Sequence, residues 1–481
     1  MRLLLILSMV LVACGDDSNV GTLPDAPNPP DAVPMDGNVT PQPVTLTVTL
    51  NGAPAAGVHT YFLNADNSVV KTADTDSTGV ASATMVAGGS VTAINPFVGP
   101  PAGIRTDDLR TFVGVKPGDH LVLSQNSGPG LPSVRITLSA PAFTGGTATS
   151  YDVFTTCGNG AIQVVNNGVL PLGPNDPTGQ VDLFGCNGTA DILVVANGFG
   201  GNEQIQPLGS LYHANVAVAD GADITLTDAY DDLQDVKFEY TNLAPSVSSV
   251  SVRHDVATSH GVIQTFNGST GIDGTTALIT LSEMQIPSAV GAIDSTIQMR
   301  SQHEVIQRKS VTTSNTFDLA GLLPDIVNGS FYNATTKRVS WQEAATGVRP
   351  DLTIVELDVT QQGGGGSNVP PPRAWHWQLV APYAPGGELT YPTLPTDVAN
   401  WAPNPGDNVN VNGVTNIKVP GGYDVLRGQV FNVEDPSVLV TAPTDVLLAV
   451  SFNQNVAVAP AISARASASR PLAKPWFLSR R

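Results

Sequence analysis

The side chains best suited to recognise a ligand are Trp375, Trp377 and Tyr383, with Tyr391 and Trp401 nearby in Pro-rich sequence. Planar rings on an exposed sheet face can stack on sugar rings or grip an extended peptide. Trp375 and Trp377 are two positions apart, so a strand puts them on one face, and a core face is the commoner home for such a pair. Metal chemistry has less to build on. His303-Glu304 is half of a His-Glu-x-x-His zinc pattern, but Gln307 stands where the second His belongs. A solvated turn or strand beside Arg300, Arg308 and Lys309 is the expected setting. The closest histidine pair, His254 and His260, has no cysteine beside it. Asp74, Asp76 and Gly79 form an Asp-x-Asp-x-x-Gly fragment that offers calcium oxygen ligands, yet no bidentate Glu follows. An Asp ahead of Gly commonly bonds its own backbone in a turn instead. Asp228, Asp231, Asp232, Asp235 and Glu239 read as a solvated acidic surface. No metal and no cofactor are therefore expected.

Motif-borne catalysis is missing: there is no Gly-x-Ser-x-Gly elbow, no P-loop and no Gly-x-Gly-x-x-Gly entering a helix. No catalytic residue is assigned and the chain is expected not to be an enzyme. The alternative is a hydrolase of extracellular polysaccharide or protein built on two carboxylates, whose spacing lies in space rather than in sequence. Apart from Cys14 there are two cysteines, Cys157 and Cys186, with no Cys-x-x-Cys between them. In an exported chain they are expected to form one structural disulfide, worth about 3–4 kcal/mol for a loop of about 30 residues.

The elements that must carry these residues are strands. Charged residues make up 13% of the chain, while Gly (47) and Pro (38) abound among Thr, Val, Ser and Asn, which favours short strands and tight turns over helices. The expected class is all-β. Acids outnumber bases 41 to 22, a net charge of −19 that argues against a nucleic-acid partner. Residues 15–43 are rich in Asp and Pro with no Lys or Arg, the composition of a disordered tether. At residue 44 the pattern becomes Val44-Thr45-Leu46-Thr47-Val48-Thr49-Leu50, a strict period of two that places a half-buried strand there. Segments 353–357 and 375–380, flanking the glycine run 363–366, read as neighbouring strands of one sheet. Residues 461–481 hold Arg465, Arg470, Lys474, Arg480 and Arg481 with no acid, a basic flexible tail.

Two resemblances add to this. Arg2, the apolar run 3–13 and the closing Leu11-Val12-Ala13-Cys14 resemble the lipobox of bacterial lipoproteins; the run is about half the ~20 residues that span a bilayer. By that resemblance 1–13 is a signal peptide, and Cys14 becomes the first residue of the mature chain. It would carry a diacylglycerol and then an amide-linked acyl group, commonly palmitate, that anchor it to a membrane without a spanning helix. Gly15, where an inner-membrane retention signal has Asp, favours the outer membrane. The turns Gly52, Pro54, Gly57 and Thr75, Asp76, Gly79, with Gly89 before the next strand, resemble carboxypeptidase regulatory-like (transthyretin-like) and related bacterial immunoglobulin-like domains. That implies tandem β-sandwiches: 44–128, a disulfide-bearing 133–227, and one large or two smaller over 228–460, behind the tether 14–43. The whole then reads as a lipid-anchored cell-surface module with a non-catalytic binding or structural role, its partner an envelope polysaccharide or surface protein.

Overall fold

The computed structural model describes residues 42–453, except 51–52, 98–104, 126–132, 157–176, 185–187, 200–204, 259–260, 284–289, 300, 311, 362–372, 405, 429–430, 433–439 and 441–444. The signal, Cys14, most of the tether, Cys157, Cys186 and the basic tail lie outside the described residues.

Alternation decides how the first strand sits. Gln42–Leu50 buries Val44, Leu46 and Val48 completely and leaves its threonines at the margin. It lies antiparallel to Val80–Met85 on one side and parallel to His120–Gln125 on the other. The same arrangement recurs twice. Ser133–Ser139 lies between antiparallel Thr178–Phe184 and parallel Asp223–Thr225. Gln234–Thr241 lies between antiparallel Ala277–Glu283 and parallel Ser314–Asp318. Each time, the chain enters a sandwich on a middle strand and returns beside it. The chain is thus all-β, built of repeated sandwiches, and Gly422–Gly428 is the α-helix among the described residues.

The second sandwich closes on its own sheet, with Ser150–Thr155, Gly188–Phe199 and Ile205–Val218 packing Val153, Ile192 and Leu211 onto Ile136 and Val181. The facing strands of the first and third do not close separately. They belong to one twelve-stranded sheet. Gly261–Thr270, Ser249–Thr258, Val290–Gln298 and Gln302–Ser310 come from the third sandwich. Val446–Asn453, Asn408–Lys418, Leu352–Gln361 and Arg373–Pro382 follow from the C-terminal region. Arg105–Val115, Gly89–Phe97, His59–Leu63 and Val69–Asp74 complete it from the first. The joint to the first sandwich is parallel, running from Arg373 beside Arg105 to Val380 beside Phe112. The joint to the third is antiparallel, between Gln302–Ser310 and Val446–Asn453. Segments 44–128 and 228–460 therefore share a sheet.

The middle of this sheet is covered on both faces, so Leu352–Gln361 is buried along most of its length rather than on alternate residues, with Thr353 and Glu356 among its buried side chains. On one face Leu352, Ile354, Val380 and Phe112 pack with Val44, Leu46 and Leu121 of the first sandwich and with Tyr423 and Leu426 of the helix. On the other, Val355, Leu357, Trp377 and Leu379 pack against Val339, Trp341 and Tyr391. These come from or adjoin a small sheet of Ile326–Asn333, Arg338–Glu343 and Glu388–Thr390. The strands flanking the glycine run pair from Gln361 beside Arg373 to Leu352 beside Pro382, in the one sheet that their sequences indicate.

Candidate functional site

Trp375 and Trp377 share a face, and it is the core face: they are 3% and 1% exposed. The Trp377 indole N–H donates to Thr111 Oγ1 at 3.0 Å, and its ring meets Tyr391 edge-on at 4.7 Å. Trp375 meets Trp401 edge-on at 5.8 Å. The Tyr391 hydroxyl reaches the carbonyls of Val355 at 3.3 Å and Trp377 at 3.4 Å, tying the small sheet's side to the large sheet. The idea of an exposed stacking platform on this strand is thereby corrected. Two layers cover the strand, so both indoles are spent on packing.

Tyr383 stands apart from that pair, half-buried in a polar network. Its hydroxyl donates to Glu343 Oε2 at 2.6 Å, and burial, with that carboxylate next in effect, pushes the phenol up to about 12. Glu343 Oε1 accepts from the Trp341 indole at 2.6 Å and from Asn416 Nδ2 at 2.7 Å, while Asn416 Oδ1 accepts from Thr353 at 2.7 Å. Strand register assembles the rest. His303, Val450, Asn416 and Thr353 occupy one row across four neighbouring strands. Asp325 borders Glu343 through the Ala344 N–H, which donates to its carbonyl at 2.8 Å.

At the His303 end, serine, histidine and aspartate meet. Asp325 Oδ1 accepts from the Ser301 hydroxyl and from its backbone N–H at 3.1 Å, and His303 Nε2 lies 3.4 Å away. The Ser301 oxygen in turn accepts the Ile326 N–H at 3.2 Å. The types are those of a nucleophilic triad, but the connections are not. A nucleophile must hand its proton to histidine, and Ser301 hands its own to the carboxylate. Burial opposes charge on Asp325, yet the bonds from His303 and Ser301 outweigh it and hold the carboxyl below its usual range. Glu343 likewise accepts from three side chains. Asp325 Oδ1 and both Glu343 oxygens are thus taken up in bonds between neighbouring segments, and the cluster ties the small sheet's side to the large sheet.

His303 and Glu304 are 1% and 3% exposed, which corrects the solvated setting expected for them. They sit near the start of Gln302–Ser310 with neighbouring strands on both sides, and Asp325, 22 residues on, supplies the His303 partner. The Asp-x-Asp-x-x-Gly fragment is a turn. Asp76 Oδ1 accepts from Thr78 N at 2.8 Å, Thr78 Oγ1 at 2.6 Å and Val80 N at 3.1 Å. Gly79 there has φ +76°, and a Cβ would come within 2.4 Å of the Val48 carbonyl. Asp228 pairs with His213 at 2.5 Å and Asp235 accepts from Ser282 at 2.9 Å. Among the described residues no three His, Cys, Asp or Glu side chains are grouped closely enough to hold a metal. Ser301, Asp325, Glu343 and Asn416 escaped sequence reasoning because strand pairing and the turns beside the strands gather them in space.

No protein-family model and no curated protein matches this chain. Solved structures similar to it include the Bacillus anthracis TIE protein, at 11% identity and TM-score 0.14 over 58% of this chain and 49% of that one. GBS52, the minor pilin of Streptococcus agalactiae, matches at 13% identity and TM-score 0.15 over 39% of this chain and 95% of that one. A streptococcal ancillary pilin matches at 8% identity and TM-score 0.13 over 58% and 99%. The chain thus spans about half the length of the first.

Proposed function

We propose that this protein is a non-catalytic surface module, held on the outer membrane through an acylated Cys14, whose sandwiches form a stiff platform for contact with envelope polysaccharide or surface protein. The observation that carries the reading is the twelve-stranded sheet, in which strands of the C-terminal region join the facing strands of the first and third sandwiches. Beads on a string flex at each linker; strands sutured into one sheet resist that bending. The Ser301 hydroxyl, which donates to Asp325 and not to His303, supports the non-catalytic half. The anchor rests on the lipobox-like sequence alone.

Growth of expressing cells with labelled palmitate tests the anchor. The intact protein should take up label and sediment with outer membranes, and Cys14→Ala should do neither. An unlabelled wild type would overturn the anchor. Purified protein incubated with polysaccharide and protein substrates should give no turnover, and hydrolysis abolished by Asp325→Asn or Glu343→Gln would overturn the non-catalytic reading.

A further inference from the structure

A cavity of about 410 Å³ opens at the seam between the first sandwich and the C-terminal region, within the ~300–1,000 Å³ usual for small-molecule sites. Ala87, Gly88, Gly114 and Lys116 wall it on the first side. Asp351, Pro382 and the start of the helix Gly422–Gly428 wall it on the other. The wall is fixed in advance by Arg427, whose side chain is 3% exposed. Its Nε lies 2.8 Å from Asp119 Oδ2 and its Nη2 2.5 Å from Asp424 Oδ1. Its Nη1 donates to the Gly114 carbonyl, and the guanidinium sits 5.0 Å from the centre of the Tyr423 ring. The Tyr423 hydroxyl donates to the Val113 carbonyl at 2.7 Å, so helix and strand cannot slide apart without breaking this set. Gly88, Gly114, Gly421 and Gly422 all adopt φ between +70° and +92° and leave bare peptide groups on the lining.

The charges decide what fits. Lys116 and Arg427 are paired with Asp424, Arg427 also with Asp119, and Lys418 faces Asp351 at 3.7 Å, so three cations meet three carboxylates and a ligand needs no net charge. Lys116 and Asp424 stay half exposed or more, so a ligand does need groups that donate to a carboxylate and accept from an ammonium within a few ångströms, which is what neighbouring hydroxyls do. Ala87 and Pro382 add apolar surface for the C–H face of a ring. A carboxylated ring would face Asp351 and Asp424, and an aminated one Lys116, each at a cost in like-charge repulsion.

We propose that the seam cavity binds a neutral saccharide unit. The polysaccharide source rests on the surface role proposed above; the fit of the cavity to a neutral polyol does not. The test uses the full-length protein in a sugar-free detergent and saturation-transfer NMR. N-acetylglucosamine and methyl glucoside serve as neutral probes, with glucuronate and glucosamine as charged ones. The neutral probes should give signal at about 10 mM, and the charged ones should be at least roughly tenfold weaker. Ala87→Trp fills the mouth from an exposed position, and Asp351→Asn removes one acceptor charge. Both should cut the neutral signal about tenfold at an unchanged melting temperature. No signal from wild type, signal that survives both substitutions, or stronger signal from a charged sugar overturns the proposal. Labelling of Cys14 is read separately, so loss of one reading leaves the other standing.

Discussion

The Tyr61 hydroxyl donates to Asp397 Oδ2 at 3.0 Å, across 336 residues of chain. With the parallel joint of Arg373–Pro382 to Arg105–Val115, it makes the first sandwich dependent on strands made last. Burial, followed by the neighbouring Asp397 carboxylate, raises the phenol well above its ordinary value. Tyr61→Phe should cost about 1–2 kcal/mol. In urea, probes in the first sandwich and in the C-terminal region should report one shared midpoint, lower than in wild type. Two separated transitions would count against a cooperative shared sheet.

Arg427 and Asp119 are a buried pair, 3% and 7% exposed at their side chains. Arg427→Met leaves the Asp119 carboxylate buried without its cation, at a cost of about 3–5 kcal/mol. Adding Asp119→Asn should recover a large part of that. Calorimetry on the single and double variants checks it, and a double variant no better than Arg427→Met would contradict the account.

Trp377→Ala should destabilise by about 3–5 kcal/mol by opening a cavity between the two layers. Trp377→Phe keeps most of the volume and loses the bond to Thr111, at about 1 kcal/mol. Neither should alter ligand affinity in molecules that remain folded. Titration of Trp377→Phe against a ligand of the wild type settles the point.

Asp325 gives a pH dependence with a definite sign. Its folded carboxyl lies below the usual range, so its contribution is complete above the unfolded value of about 3.9 and is lost as pH falls through the folded one. The stability gap between wild type and Asp325→Asn should hold steady near neutrality and shrink on acidification below about pH 4. Chemical denaturation at several pH values reads it. A gap that widened in acid would show the carboxyl titrating above its usual range.

Much of the strand pattern is legible in sequence. The alternation from Val44 to Leu50 marks the first strand, and the Asp76–Gly79 turn shows in its residue types, because both rest on neighbours close along the chain. The pairing of the strands around residues 363–366 is legible for the same reason. The parallel joint of Arg105–Val115 to Arg373–Pro382 is not, since it depends on contacts between segments hundreds of residues apart. Trp375 and Trp377 show the limit from the other side. Spacing puts them on one face, but only the small sheet around Arg338–Glu343 determines that this face is dry. His303 lacks a zinc partner in sequence, and its actual partner, Asp325, bears no fixed offset to it.

The first strand carries a further consequence. From Thr45 to Leu50 it is matched residue by residue with His120 to Gln125 in parallel, while Val80–Met85 holds its other side. Its hydrogen bonds run across the strand, so a pull on the chain ahead of Gln42, directed along that strand, loads both ladders in shear and every rung shares the tension. A hairpin peeled from its end would surrender rung by rung at far lower force. Optical-tweezer traces with a handle ahead of Gln42 should show one abrupt rupture rather than a staircase. A body hung by that end in flowing liquid would keep its first sandwich shut until the whole strand slips.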